Sequence, residues 1–336
     1  MKSHRFVRGC LVTLAWFLSV FVSAGAADAE IVLWGNGTRI MRTDFAAGTT
    51  TELLSTEEYV RDLAVDLSSR KLYWSDGRIW RSNLDGSAAE LLVVSHGVIG
   101  IALDTVREKL YWTDASIEDM WRSNLDGTSI ENCTTSPIPF PCPTDPKLLE
   151  VDSADGKIYW SVNQGVQGAN LDGSGYQDLY NVPPVTIPPR ANNPRDIALD
   201  VAGNSLYFSA EPPGKILRID LGDGSVETLV AYTDGQLEPI PTHLTLEPVN
   251  RNLYWLQANA ENAIGFPNAL VRYDIATGAL SSTPLGGMAI DHDAGPIVAY
   301  IPEPNTLMLA ISAAAGLFFV SASRILHRRL HRAARV

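Results

Sequence analysis

Cysteine, histidine and basic residues are all in short supply. The 336 residues hold three cysteines, Cys10, Cys133 and Cys142, and no CxxC pair, which removes multi-thiolate metal sites and dithiol redox motifs. Of the six histidines, only His96, His243 and His292 lie in the middle of the chain, and no two of these share an HxxxH spacing. No glycine-flanked serine forms a nucleophile elbow. Residues 30–301 carry 18 Lys and Arg against 36 Asp and Glu, a balance that repels nucleic acid at long range. No cofactor is called for, and nucleic acid is not an expected partner. Helical periodicity is almost missing from this region. Short strand-like runs recur instead between Gly, Pro, Asn and Asp clusters, which predicts an all-β fold.

The ends differ from the middle. Lys2, Arg5 and Arg8 precede the apolar run Leu11 to Val22, and Ala24-Gly25-Ala26 and Ala27-Asp28-Ala29 are small-x-small sites. This predicts a secretory signal peptide over residues 1–29. At the other end Leu307 to Ser323 is uncharged and mostly apolar, and Arg324, Arg328, Arg329, Arg332 and Arg335 follow it. The pattern predicts a transmembrane helix over 307–323 with a cytoplasmic Arg cluster. Just ahead stands Pro302-Glu303-Pro304. Proline fixes an extended backbone there and delays the helix. Over residues 301–336 this arrangement resembles the PEP-CTERM sorting signal of Gram-negative bacteria. The resemblance implies an exosortase as partner, a membrane-anchored precursor, and delivery to the cell surface or extracellular matrix.

The middle is a repeat. An apolar run ending in an acid occurs six times, as Leu63–Asp66, Ile101–Asp104, Leu149–Asp152, Ile197–Asp200, Leu244–Glu247 and Met288–Asp291. Seven residues after the acid come Tyr73-Trp74, Tyr111-Trp112, Tyr159-Trp160, Tyr207-Phe208 and Tyr254-Trp255, and a degraded Val298-Ala299-Tyr300. A third strand and a Gly-containing turn follow, as in Ile79 to Gly86, and a fourth strand closes each cycle. Four short strands per period of about 40 residues describe a propeller blade. The expected fold is a six-bladed β-propeller of four-stranded antiparallel blades over residues 30–300. Met288–Asp291 is expected to complete the blade begun by Leu33-Trp34, leaving Val298–Tyr300 surplus.

Tyr111-Trp112-Thr113-Asp114, with Ile79 to Gly86 as its kind of continuation, resembles the YWTD repeat, or low-density-lipoprotein-receptor class B repeat. In that family these residues are structural, so Tyr73, Trp74, Tyr111, Trp112, Asp114, Tyr159, Trp160, Tyr207, Tyr254 and Trp255 are assigned to the scaffold. The receptor resemblance implies protein binding on one face.

Length varies in two loop classes only, second-to-third (up to Leu256–Ala269) and fourth-to-first (Asn132–Lys147, Asn181–Arg195, Tyr232–Thr242). In an up-and-down blade both emerge on one face, the candidate face for a protein or polysaccharide ligand. Cys133 and Cys142 share one Pro-rich loop and, in an exported chain, are expected to form a disulfide. The enzymatic alternative is a lactonase-like propeller hydrolase with a channel metal. Asp62, Asp196 and His243 stand at corresponding places before their strands and are its weak ligand candidates; the other three such places carry no ligand-type side chain. A purely structural surface component is the remaining alternative. The non-enzymatic interaction module is the expected function.

Overall fold

The computed structural model describes residues 30–133, 146–182, 193–211, 214–231, 240–258, 269–285 and 295–302. The chain divides into two compact units, Glu30–Tyr300 and the two ends together. The signal peptide, Glu303, Pro304, the 307–323 segment and its Arg cluster lie outside the described residues, although Pro302 is within them. Among the described residues no helix is long and apolar enough to cross a membrane.

Every described element is a β-strand, and every described ladder is antiparallel. β1 (Ile31–Gly35), β2 (Arg39–Asp44) and β3 (Thr49–Ser55) form a sheet with the last strand, β23 (Ile297–Tyr300), in the order β23-β1-β2-β3. A seven-stranded sheet follows. It holds β4 (Asp62–Asp66), β5 (Lys71–Ser75), β6 (Gly77–Asn83), β7 (Glu90–Asp104), β8 (Lys109–Asp114), β9 (Asp119–Asn124) and β10 (Glu131–Asn132). It is two four-stranded units that share β7. The first half of β7 pairs with β6 and the second half with β8. Three further four-stranded sheets complete the unit. They are β11 (Leu149–Asp152) to β14 (Gln177–Asn181), β15 (Asn193–Asp200) to β18 (Val226–Ala231), and β19 (Ile240–Glu247) to β22 (Leu280–Pro284).

The strand that completes the first sheet differs from the one expected. Ile297–Tyr300 pairs with β1 through Ile31↔Tyr300 and Trp34↔Ile297. The stretch held to be surplus is therefore the closing strand, while Met288–Asp291 lies outside the described residues. The innermost strands touch in cyclic order, β4 with β7, then β11, β15, β19, β23, and β23 with β4.

The core lies between successive four-stranded units rather than inside one. Tyr73, Ile79 and Val93 pack with Ile101, Leu110 and Trp112 of the following unit. Ala102, Tyr111 and Met120 pack with Leu149, Ile158 and Trp160. Tyr254, Leu256 and Leu270 pack with Val32, Trp34 and Ile297 across the chain's two ends. A second strand is therefore covered on both faces. In β8, Leu110, Tyr111 and Trp112 are all buried, where a two-layer sandwich would alternate. Fully burying a side chain of this size contributes about 2–3 kcal/mol.

The constant spacing from first to second strand has a local cause. In four of the first strands the closing acid turns back and accepts backbone N–H groups two and three residues on, and Asp200 accepts one such group, the Gly203 N–H. Asp66 takes Ser68 and Ser69, Asp104 takes Val106 and Arg107, Asp152 takes Ala154 and Asp155, and Glu247 takes Val249 and Asn250. One residue per turn is then left-handed, namely Arg70, Glu108, Gly156, Asn204 and Arg251. A longer or shorter turn would lose this cap.

Candidate functional site

The channel end of the inner strands gathers carboxylates. Asp62 heads β4. Its Oδ1 accepts the Leu63 N–H at 2.8 Å, and its Oδ2 accepts the Ile101 N–H of the next unit at 2.7 Å. Asp196 in β15 repeats the arrangement with Ile197 and, in the next sheet, Leu244, both at 2.7 Å. Each carboxylate thus clips one inner strand to the next. Both line a cavity of about 280 Å³ together with Glu150. Burial pushes the Glu150 carboxyl up to about 8, and Asp196 adds to the effect. Asp62 is also held well above the usual carboxylate range, first by burial and then by Asp196, against the pull of its two N–H donors.

His243 stands beside this group. Its Nδ1 is 3.4 Å from Asp196 Oδ2, and its backbone is left-handed (φ 49°) at an irregularity of the β19–β20 ladder. The three residues proposed from sequence as metal ligands are therefore neighbours in part: Asp62 and Asp196 share the cavity, and His243 touches only Asp196. Among the described residues no group of three or more His, Cys, Asp or Glu side chains could hold a metal ion. The oxygens of Asp62 and Asp196 serve backbone donors. Glu150 was missed. It stands opposite Tyr159, the register position that Ala64, Ala102, Ala198 and Thr245 hold opposite their own tyrosines. The signal was legible as the single acid at that place in the repeat.

The motif residues are fasteners. The Tyr73 hydroxyl donates to the Leu125 carbonyl in the next unit at 3.3 Å, and Arg81 donates to the same oxygen at 3.0 Å. Thr113 Oγ1 accepts the Gly100 N–H and donates to the Lys147 carbonyl of the next sheet. Ser75 makes the corresponding link to the Ile99 carbonyl at 2.8 Å. Asp114 accepts Ser95 Oγ at 2.7 Å and the Ser116 N–H at 2.9 Å, joining β7 to the β8–β9 connection. Trp74 stacks on Trp80 and Trp112 on Trp121, at 6.1 and 6.4 Å between centroids. Trp160, Tyr207, Tyr254 and Trp255 are buried to within 1%. Cys133 is a free thiol packed into the core beside Met120, and burial pushes it up to about 12. Cys142 lies outside the described residues, so the staple expected between them is not part of the described structure.

The two ends of the sheets differ. At one end the turns are short and alike. At the other, where Asp62 and Asp196 sit, all the long connections attach: β10 to β11, β14 to β15, β18 to β19, β20 to β21 and β22 to β23. Most of those segments lie outside the described residues. The described part of this end contains a second hollow, of about 330 Å³, between the β3–β4 connection and the short β5–β6 turn.

No protein-family model matches the chain. No curated protein matches it either. Solved structures do. A chain from a nidogen/laminin complex aligns with a TM-score of 0.63 at 16% identity, covering 82% of this chain and all of that one. TolB from Acinetobacter baumannii aligns with a TM-score of 0.60 at 12% identity, over 87% of this chain and 71% of that one. At such identities the likeness is one of fold, and that fold is the β-propeller.

Proposed function

We propose that the chain is an exported six-bladed β-propeller of the YWTD type, and that it works as a non-enzymatic interaction module displayed at the cell surface or in the extracellular matrix. One observation carries this reading. Every long connection attaches at the same end of the sheets, while the opposite end repeats one short design. Length variation confined to one end of a rigid scaffold is the pattern of a ligand face. The first of the two structural neighbours comes from a complex of nidogen with laminin, which supports a protein-interaction role for the fold. Fold alone does not fix a ligand.

In the same reading an exosortase acts at Pro302-Glu303-Pro304, and the 307–323 segment holds the precursor in the membrane before that step. A Glu303→Ala chain should then accumulate uncut in the membrane fraction.

The ligand-face reading is tested by immobilising the protein and applying surface polysaccharide and surface protein from the producing cell. Wild type should retain a component that a variant with residues 134–145 replaced by a four-residue link does not. Val106→Ser, at the short-turn end, should retain it fully. Equal retention by the loop variant, or none by wild type, ends the proposal.

A further inference from the structure

The hollow at the long-connection end is built from charged side chains of two successive units. Glu57, Glu58 and Arg61 come from the β3–β4 connection, Asp76 is the β5–β6 link, Arg78 follows in β6, and His96 lies in β7. It exists because this turn is short. A single residue, Asp76, separates β5 from β6. Gly77 takes φ 95°, and a Cβ there would sit 3.2 Å from the His96 carbonyl and 3.9 Å from the Arg61 guanidinium carbon. Glycine therefore keeps the floor open and lets Arg61 lie across it.

The charges are not equally committed. Arg78 is fixed: it donates to Asp76 at 3.1 Å and to Glu57 at 3.1 Å, and its guanidinium lies 5.1 Å from the Trp80 ring centre. Asp76 is buried and also accepts the Trp80 N–H. Among the described residues, the Arg61 guanidinium and the His96 imidazole have no hydrogen-bond or ion-pair partner, and neither has the Glu58 carboxylate. All three side chains are exposed. The hollow thus offers a free planar fork of N–H donors on one side and carboxylate acceptors on the other.

We propose that this hollow is a subsite for an acidic sugar, a uronate unit of a polysaccharide. The proposal rests on the ligand-face reading above and gives that face a ligand class. Arg61 matches a carboxylate bidentately, and His96 stands on the same floor. Glu57 and Glu58 would repel a bare acidic group. They accept hydrogen bonds from a ligand that also carries hydroxyls, and a uronate carries both. The volume lies at the lower edge of small-molecule sites, as one sugar unit requires.

The experiment is calorimetric titration of the full chain in neutral detergent with trigalacturonate, maltotriose and a tri-aspartate peptide. Trigalacturonate should bind, and maltotriose should bind about tenfold more weakly or not at all. Arg61→Gln should lower trigalacturonate affinity about tenfold or more while leaving Tm unchanged, because Arg61 has no side-chain partner in the described fold. Glu58→Gln should weaken trigalacturonate and strengthen the peptide. Absence of trigalacturonate binding, or equal affinity in Arg61→Gln, overturns the proposal. Peptide binding as tight as trigalacturonate overturns the sugar class. If the immobilised protein still captures a surface component through the 134–145 loop while trigalacturonate fails, this inference falls and the ligand-face reading stands.

Discussion

Glu150 shows how one residue can depart from its repeat at a measurable cost. Its siblings at the same register position are alanine or threonine, and they place no charge in the channel. The Glu150 carboxyl has a folded value of about 8, above its ordinary value near 4.5. Folding therefore favours its protonated form. Below about pH 4.5 the group has no effect on stability; its penalty grows as pH rises towards 8 and is constant beyond that. Glu150→Gln should accordingly match wild type near pH 4 and exceed it by up to a few kcal/mol at pH 8.5. Thermal melts of both proteins at the two pH values check this, and a gain independent of pH would contradict it. The residue types of this site were readable from the sequence. Asp62 and Asp196 stood out by their equivalent positions, but the carboxylate geometry that clips one unit to the next was not readable. It depends on the N–H groups of Ile101 and Leu244, which are 39 and 48 residues away.

At the level of elements, the turns were the most legible features and the closing strand the least. The fixed seven-residue spacing and the Asn-Leu-Asp-Gly turns each encode a local hydrogen-bond pattern, so the sequence carries them directly. In the turn at Asn124 the Asp126 carboxylate accepts the Thr128 N–H and hydroxyl, and Gly127 takes φ 80°. A Cβ on Gly127 would lie 2.8 Å from the Leu92 carbonyl of β7. Gly127→Ala should cost about 2 kcal/mol, read as a fall in denaturation midpoint with an unchanged slope. The closing strand was misplaced for the same reason that the others were found. The acid at the end of a first strand exists to cap the turn into a second strand. β23 enters no such turn, because the chain leaves after Tyr300, and so it carries no acid. An alignment keyed on the acid selects Met288–Asp291 instead.

For the whole molecule, closure has two parts. One is the β23–β1 ladder. The other is Glu30, whose buried carboxylate accepts Asn252 Nδ2 at 2.6 Å and the Tyr254 hydroxyl, with Arg272 Nε 3.6 Å away. The first described residue thereby joins the sheet formed by β19 to β22. The sequence showed that the ends must meet, since the chain enters on a second strand, but held no sign of this carboxylate's seat. Glu30→Ala strands two buried donors, Asn252 Nδ2 and the Tyr254 hydroxyl, and should cost about 3 kcal/mol, whereas Glu30→Gln should recover part of the loss. Urea titration of the three proteins checks the order. A chain ending at residue 296 should lose more. It leaves the β1 edge unpaired, so aggregation on size exclusion should accompany its lower midpoint.

Tyr300 pairs with Ile31, so both ends of the propeller emerge beside the short turns, opposite the long connections. Suppose a ligand grips the far end while the C-terminal segment is tethered. Tension then runs lengthwise through β23, parallel to its strand axis. The ladder to β1 is loaded in shear, so its hydrogen bonds resist together rather than opening one after another. The Glu30 contacts lie off this line of force, on the N-terminal side of the seam. By this geometry the propeller resists coming apart under such a lengthwise load better than it resists being peeled open from its own ends.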